Sequence, residues 1–174
     1  MKNGVDNMKD ITFKYENIKF DYRVAAIIEN NNRFLLQKMK QDDAHTLVGG
    51  RVTLLTTSKE SLIRELKEEI NLNVTQKDLK LLEIAENFFD YKDENETLQK
   101  VHSVLFIYKV NVSNEEDITK QNGFSVLDKQ KTKLYWVPKQ KLKNELVLPK
   151  LVKRFIEDES FSYDIIDDCT NRVS

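Results

Sequence analysis

The sequence predicts an α/β (α+β) domain in which helices pack on one central mixed sheet. Two observations carry this. Strand-like segments outnumber helical ones, and the clearest helix is inserted between strand-like segments, which places a helix layer against a sheet. A third observation bounds the size. At 174 residues the chain accommodates one domain with a sizeable core, read as residues 11–160, after a flexible start at 1–10 and before a polar tail at 161–174. With 40% hydrophobic and 33% charged residues, the composition is that of a folded domain with a charged surface and not of a disordered chain.

The elements follow in order. Residues 11–20 alternate polar and apolar, as an edge strand does. Residues 22–29 are rich in β-branched and apolar side chains and read as a buried strand. Asn30, Asn31 and Asn32 signal a turn, because Asn tolerates left-handed dihedrals, and residues 33–40 return as the hairpin partner with Phe34, Leu35 and Leu36 in the core. A polar loop at 41–45 leads to Gly49 and Gly50, half of the four glycines in the chain. Adjacent glycines mark an unusual backbone or a close approach. Residues 51–56 read as a short strand or loop.

Residues 57–70 form the clearest helix. Thr57 and Glu60 fit a capping box. At roughly 100° per residue, Leu62, Ile63, Leu66 and Ile70 share one face, and Asn71 suits a left-handed stop. Two long strands at 79–91 and 98–112 flank a turn at 92–96. Residues 113–131 are polar and read as a mobile loop, and residues 133–137, with Trp136, as a short strand. Pro138 and Pro149 are each placed to open a helix at its first turn, the second helix running over 150–159.

Composition also excludes. The 28 basic and 29 acidic residues leave a formal net charge of −1, so no global field draws the chain to nucleic acid or membrane. The longest apolar run, residues 24–28, is too short to span a bilayer, and the first ten residues lack the apolar core of a signal peptide. Cys169 has no second cysteine to pair with inside the chain. The expected compartment is cytoplasmic, with neither a membrane nor a nucleic-acid partner.

Chemistry concentrates on the main helix. Glu65, Glu68 and Glu69 lie three and four residues apart, on one stripe at the border of the apolar face. Like charges at this spacing repel by a few tenths of a kcal/mol, roughly, and a cation between them turns that cost into a gain. Mg²⁺ and Mn²⁺ prefer such oxygen ligands, and Mg²⁺ commonly joins carboxylates to substrate phosphates. Taken alone, the string beside Arg64 and Lys67 is better read as a solvated helix face with ordinary ion pairs.

The surrounding residues decide between these readings. Gly50, then Arg64, Glu65, Leu66, Glu68, Glu69 and Leu72, fall at ungapped spacings. They resemble the signature of the Nudix hydrolase family: a Gly, five residues, a Glu, seven residues, then Arg-Glu-apolar-x-Glu-Glu-x-Gly-apolar. The stretch from Phe20 to Ile28, Leu35 to Lys38, Glu86 to Phe89, and Trp136 to Pro138 are also similar to one subgroup, so the resemblance spans about residues 20–155.

The resemblance implies an α/β/α sandwich around a mixed sheet. It implies a hydrolase that cleaves the diphosphate of a nucleoside diphosphate linked to another moiety, using Mg²⁺ or Mn²⁺. Glu65, Glu68 and Glu69, with the Gly50 carbonyl, would hold the metal, Arg64 would orient the glutamates, and one of these glutamates or a carboxylate from another loop would take the proton from the attacking water. Because family members are often dimers, the resemblance also allows a homodimer.

Three positions depart from the pattern. Thr56 stands where the family has its first glutamate, after Leu55; Asn71 replaces the glycine after the helix; Val48 precedes the double glycine. Asn71 is a mild change. Thr56 removes a carboxylate, which leaves Arg64 short of a partner and keeps open a second reading: a catalytically weakened domain that binds a nucleotide or sugar-nucleotide as a sensor. Around the site, Arg23, Lys38 and Arg51 are candidates for phosphate contacts. His102 is a candidate substrate-binding residue, with a satisfied structural histidine as the stronger alternative, and His45 a candidate for the pocket border. Phe88, Phe89 and Tyr91 are candidates for stacking, and the acidic run 115–117 for a loop carboxylate that serves as base.

Overall fold

The computed structural model describes residues 9–39, 43–110, 112, 125–126 and 129–170. Among the described residues, eleven strands form one mixed sheet with the path β10-β4-β3-β2-β7-β6-β11. The strands are β1 (Thr12–Tyr15), β2 (Ile18–Asn30), β3 (Arg33–Met39), β4 (His45–Thr46), β5 (Val48–Arg51), β6 (Leu79–Lys92), β7 (Leu98–Val110), β8 (Ser125–Val126), β9 (Lys129–Pro138), β10 (Val147–Leu148) and β11 (Ser162–Asp168). Among the described residues there are also two α-helices, α1 (Ser58–Ile70) and α2 (Lys139–Leu142), and two 3-10 segments, Gln76–Asp78 and Lys150–Ile156.

β2 organises the sheet. One edge runs parallel to β7 along Ile18–Ile28. Its other edge is used in succession by β1, β5 and β3, all antiparallel. The turns between these strands come from the residues that tolerate positive φ: Asn31 (48°) and Asn32 (59°) close β2 onto β3.

Alternation along β2 separates two cores. Val24, Ala26 and Ile28 pack under Leu62, Leu66 and Ile70 of α1. Ala25 and Ile27 face the other way, with Leu142 of α2 and Val152 and Phe155 of the C-terminal 3-10 segment. The sheet thus lies between two helical layers, the α/β/α sandwich that the resemblance implied.

Several boundaries differ from expectation. The strand read at 11–20 is a hairpin, turned at Glu16 (φ 52°) between β1 and β2. Lys9 and Asp10, read as part of a flexible start, are tied to residues 53–54: Asp10 bridges Thr53, and the Lys9 carbonyl accepts from the Leu54 amide at 2.9 Å. Pro138 and Pro149 precede their helices as N-caps and do not occupy the first turn, and the second helix is a 3-10 segment.

The largest difference lies in residues 161–174, read as a polar tail. Ser162–Asp168 form β11, which pairs parallel with β6 from Glu83 to Phe89. Arg154 reaches Glu83 and Asp164, and the Ser162 hydroxyl donates to Glu83 at 2.6 Å, so buried Glu83 fastens strand and 3-10 segment together. Most of the loop expected at 113–131, with its acidic run 115–117, lies outside the described residues. Among the described residues, no helix is long and apolar enough to cross a membrane.

Candidate active site

α1 carries the carboxylates and is fixed at both ends. Thr57 accepts from the Glu60 amide while the Glu60 carboxylate accepts from the Thr57 amide at 2.8 Å, completing the capping box. Asn71 ends the helix in the left-handed region at φ 56°, its amide donating to the Leu66 and Lys67 carbonyls. The apolar face is buried, so the stripe beside it is carried to the core border: Glu69 is fully buried and Glu65 is 8% exposed, while Glu68 is exposed.

Those two buried carboxylates meet the double glycine. The Gly49 amide donates to Glu69 Oε2 at 3.3 Å. At Gly50, a Cβ would stand 2.2 Å from the Glu65 carboxyl carbon, so only glycine leaves Glu65 room above β5. At Gly49 a Cβ would stand 2.2 Å from the Val24 carbonyl oxygen of the neighbouring strand, and its φ of 154° disfavours any side chain.

Arg64 holds the acidic stripe from outside. Its guanidinium reaches Glu65 at 2.7 Å and Glu68 at 2.8 Å, and donates to the Arg51 carbonyl at 3.4 Å. Burial would lower its pKa, but the charges of Glu65 and Glu68 outweigh it and raise the value. Arg64 therefore does not lack partners, as the loss of the first glutamate suggested. The deficit is narrower: its Nε is buried with no hydrogen-bond acceptor among the described residues. Thr56 turns elsewhere, its hydroxyl bonding Thr53 Oγ1 at 2.8 Å and Ser61 Oγ at 2.7 Å.

Gly49 also borders a cleft of about 460 Å³ on the sheet face opposite the α1 core. Its floor comes from β2, β7, β6 and β11; its walls come from Thr46 and Leu47 and from Leu148, Pro149 and Lys150. Arg23 stands in this floor. Burial and neighbouring Arg51 lower its pKa against the pull of Asp21, Glu65 and Glu69, yet an arginine stays charged, so the cleft has a cation beside the carboxylates. Asp21, buried in the same floor, anchors Arg51 at 2.8 Å and Lys19 at 3.1 Å. Its burial would raise the pKa, but hydrogen bonds from Thr12, Lys19 and Arg51 prevail and lower it.

The other candidates are dispersed. Arg51 is engaged with Asp21 and with Asp10 at 3.5 Å. Lys38 stands on β3 opposite Lys133 and does not border the cleft. His102 is turned away from the cleft, because its neighbours Val101 and Ser103 face into it and strand side chains alternate. It stacks on Phe88 with ring centroids 4.4 Å apart and meets Phe20 edge-on at 5.3 Å. Phe88 is thus on the outer face, Phe89 lines the cleft, and Tyr91 is exposed. His45 is buried in β4 against Tyr135, with Nε2 3.5 Å from Glu145. Asn87, Ser103, Lys150 and Asp168 border the cleft and were not named as site residues from the sequence. Only strand parity, once the pairing is known, distinguishes them from outward-facing neighbours.

A hard divalent cation suits the donor set, which is all oxygen: the carboxylates of Glu65, Glu68 and Glu69 and the Gly50 carbonyl. The fit rests on two of these carboxylates being buried against the paired glycines of β5, where a side chain on Gly50 would displace Glu65. Among the described residues no three His, Cys, Asp or Glu side chains converge as a metal cluster, and Arg64 spans Glu65 and Glu68 in their present positions.

Comparison with known proteins agrees with this architecture. The mutator MutT protein from Bacillus halodurans superposes with a TM-score of 0.59 at 16% identity, over 82% of this chain and 86% of its own. A NUDIX hydrolase from Nitrosomonas europaea gives 0.54 at 19%, covering 85% and 79%. A MutT NUDIX hydrolase from Burkholderia pseudomallei gives 0.52 at 20%, covering 80% and 97%. At these identities the likeness is one of fold. No curated protein matches the chain. The family model of the NUDIX domain matches residues 19–158, from the start of β2 to beyond the C-terminal 3-10 segment, and the chain belongs to that family.

Proposed function

We propose that this chain is a metal-dependent hydrolase that cleaves the diphosphate linkage of a nucleoside diphosphate joined to another moiety. One observation carries the reading: buried Glu65 and Glu69 pack on the two glycines of β5, and Gly49 also borders the cleft that contains Arg23. Glu65, Glu68 and Glu69, with the Gly50 carbonyl, would hold Mg²⁺ or Mn²⁺. When bound, such an ion polarises phosphoryl oxygens and lowers the pKa of a coordinated water. The remaining work belongs to the chain itself. Arg64 holds Glu65 and Glu68 in line, and the Gly49 amide fixes Glu69. Arg23 binds and orients the substrate's phosphates, and the cleft encloses the group they carry.

The test is product release from a panel of nucleoside diphosphate compounds with Mg²⁺, with Mn²⁺ and with chelator. Turnover that requires the metal and falls by at least two orders of magnitude in Glu69→Gln is expected. Turnover unaffected by either would refute the assignment.

A second reading is favoured by two observations, an Arg64 Nε with no hydrogen-bond partner among the described residues and a Thr56 hydroxyl taken up by Thr53 and Ser61. In that case the domain binds its nucleotide and turns it over weakly, and Thr56→Glu raises the rate. A natural rate that Thr56→Glu leaves flat or lowers argues for the efficient enzyme.

A further inference from the structure

The cleft floor holds a pair of side chains suited to choosing the group next to the diphosphate; this inference rests on the hydrolase reading of the same site. Strand register lays the floor out in rows. Arg23 and Leu105 form one row; Asp21, Ser103, Asn87 and Ile166 form the next; Val101, Phe89 and Asp168 form the third. Successive rows on one face are two residues, about 7 Å, apart.

The middle row is polar in a largely apolar floor. The carboxylate of Asp21 is taken up by Thr12, Arg51 and Lys19. Ser103 and Asn87 are cross-strand partners, and neither side chain has a hydrogen-bond partner among the described residues, although Ser103 is only 2% exposed. A hydroxyl and a carboxamide each donate and accept. Leu105, Val101 and Ile166 surround them with apolar surface, and Phe89 adds an aromatic ring one row away.

We infer that Asn87 and Ser103 read the hydrogen-bonding edge of a nucleobase, with the ribose spanning the row spacing and the phosphates directed to Arg23 and Gly49. A flat heteroaromatic ring carries donors and acceptors on its edge and apolar faces to match such walls. A sugar phosphate or a second polyphosphate chain finds no free cation in the middle row and would leave its charges or hydroxyls against Leu105, Val101 and Ile166. The base of the nucleoside, and not the leaving moiety, therefore occupies the cleft.

The experiment is metal-free calorimetry of the full chain with AMP, GMP, CMP, UMP and ribose 5-phosphate. At least one nucleotide is expected to bind tenfold or more tightly than ribose 5-phosphate. Asn87→Leu and Ser103→Ala should each remove most of that advantage while leaving ribose 5-phosphate binding unchanged. Equal binding of ribose 5-phosphate and all four nucleotides overturns the inference, and so does an advantage that survives in both folded variants. Should a variant fail to fold, the comparison in the natural chain still decides. Base-selective binding in a chain that hydrolyses nothing would sink the hydrolase reading alone.

Discussion

The double glycine performs two separable tasks, and single substitutions distinguish them. At Gly50 the atom in the way of a methyl group is the end of the Glu65 side chain, which can rotate. At Gly49 it is backbone of β2, which cannot. Gly50→Ala should therefore fold with nearly natural stability while displacing Glu65, and a shift of about 1 Å in such a group costs about 10²-fold in rate. Gly49→Ala should instead lower the melting temperature. Circular dichroism melts alongside turnover check both; equal stability losses would mean that Glu65 is not the group disturbed. His45 gives a residue-level pH signature. Burial lowers its pKa below 6.5, with Lys38 adding to that, and the opposing charge of Glu145 does not restore it. The unfolded chain thus takes up the proton first. Stability is expected to fall as pH drops through 6.5 and to level off below the folded pKa. Denaturant unfolding between pH 8 and 5 should show this slope flattened in His45→Gln.

At the scale of elements, α1 is the part whose sequence and structure agree most closely, because its signals are local. Thr57 and Glu60 close on each other, Leu62, Leu66 and Ile70 are buried, and Asn71 takes the left-handed dihedral expected of it. Thr57→Ala should cost about 1 kcal/mol, lowering the melting temperature by about 2–4 °C in a chain of this size, without altering turnover at saturating substrate. A larger loss, or one confined to activity, would show that the cap does more than hold the helix. The Asn31–Asn32 turn was legible for the same reason. What stayed illegible needed distant pairing. His102 and Ser103 are adjacent, and nothing local says which faces the cleft; the register of β7 against β2 and β6 decides it. Arg51 carried the signal of a phosphate ligand, but its ion pairs with Asp21 and Asp10 could not be read from the sequence. Thr56 was legible as a missing carboxylate, but the unsatisfied Nε of Arg64 was not.

For the whole molecule, the consequential feature is the strand that closes the sheet. β11 reads as a tail because Ser162–Asp168 is polar and lacks an apolar core, and its pairing partner β6 begins 83 residues earlier. It nonetheless adds Ile166 and Asp168 to the cleft and brings Ser162 and Asp164 to the Glu83–Arg154 pair. Its far end is fastened at Asp90, where hydrogen bonds from Cys169 and Thr170 bring the carboxyl pKa down to about 2. Ending the chain after Ser160 would remove all of this at once. Glu83, fully buried, would lose Ser162 and keep only Arg154, and a buried carboxylate stripped of partners is costly. The outer edge of β6 would also be left unpaired over seven residues. The carboxylates of α1 lie across the sheet from β11, so their geometry should survive. The truncated chain is accordingly expected to melt several degrees lower and to show a KM raised about tenfold or more, with kcat changed by less than about threefold. Steady-state kinetics below the new melting temperature separate the outcomes. A kcat that collapses while KM holds would mean that β11 supports the chemistry and not the cleft, and that substrate is held elsewhere.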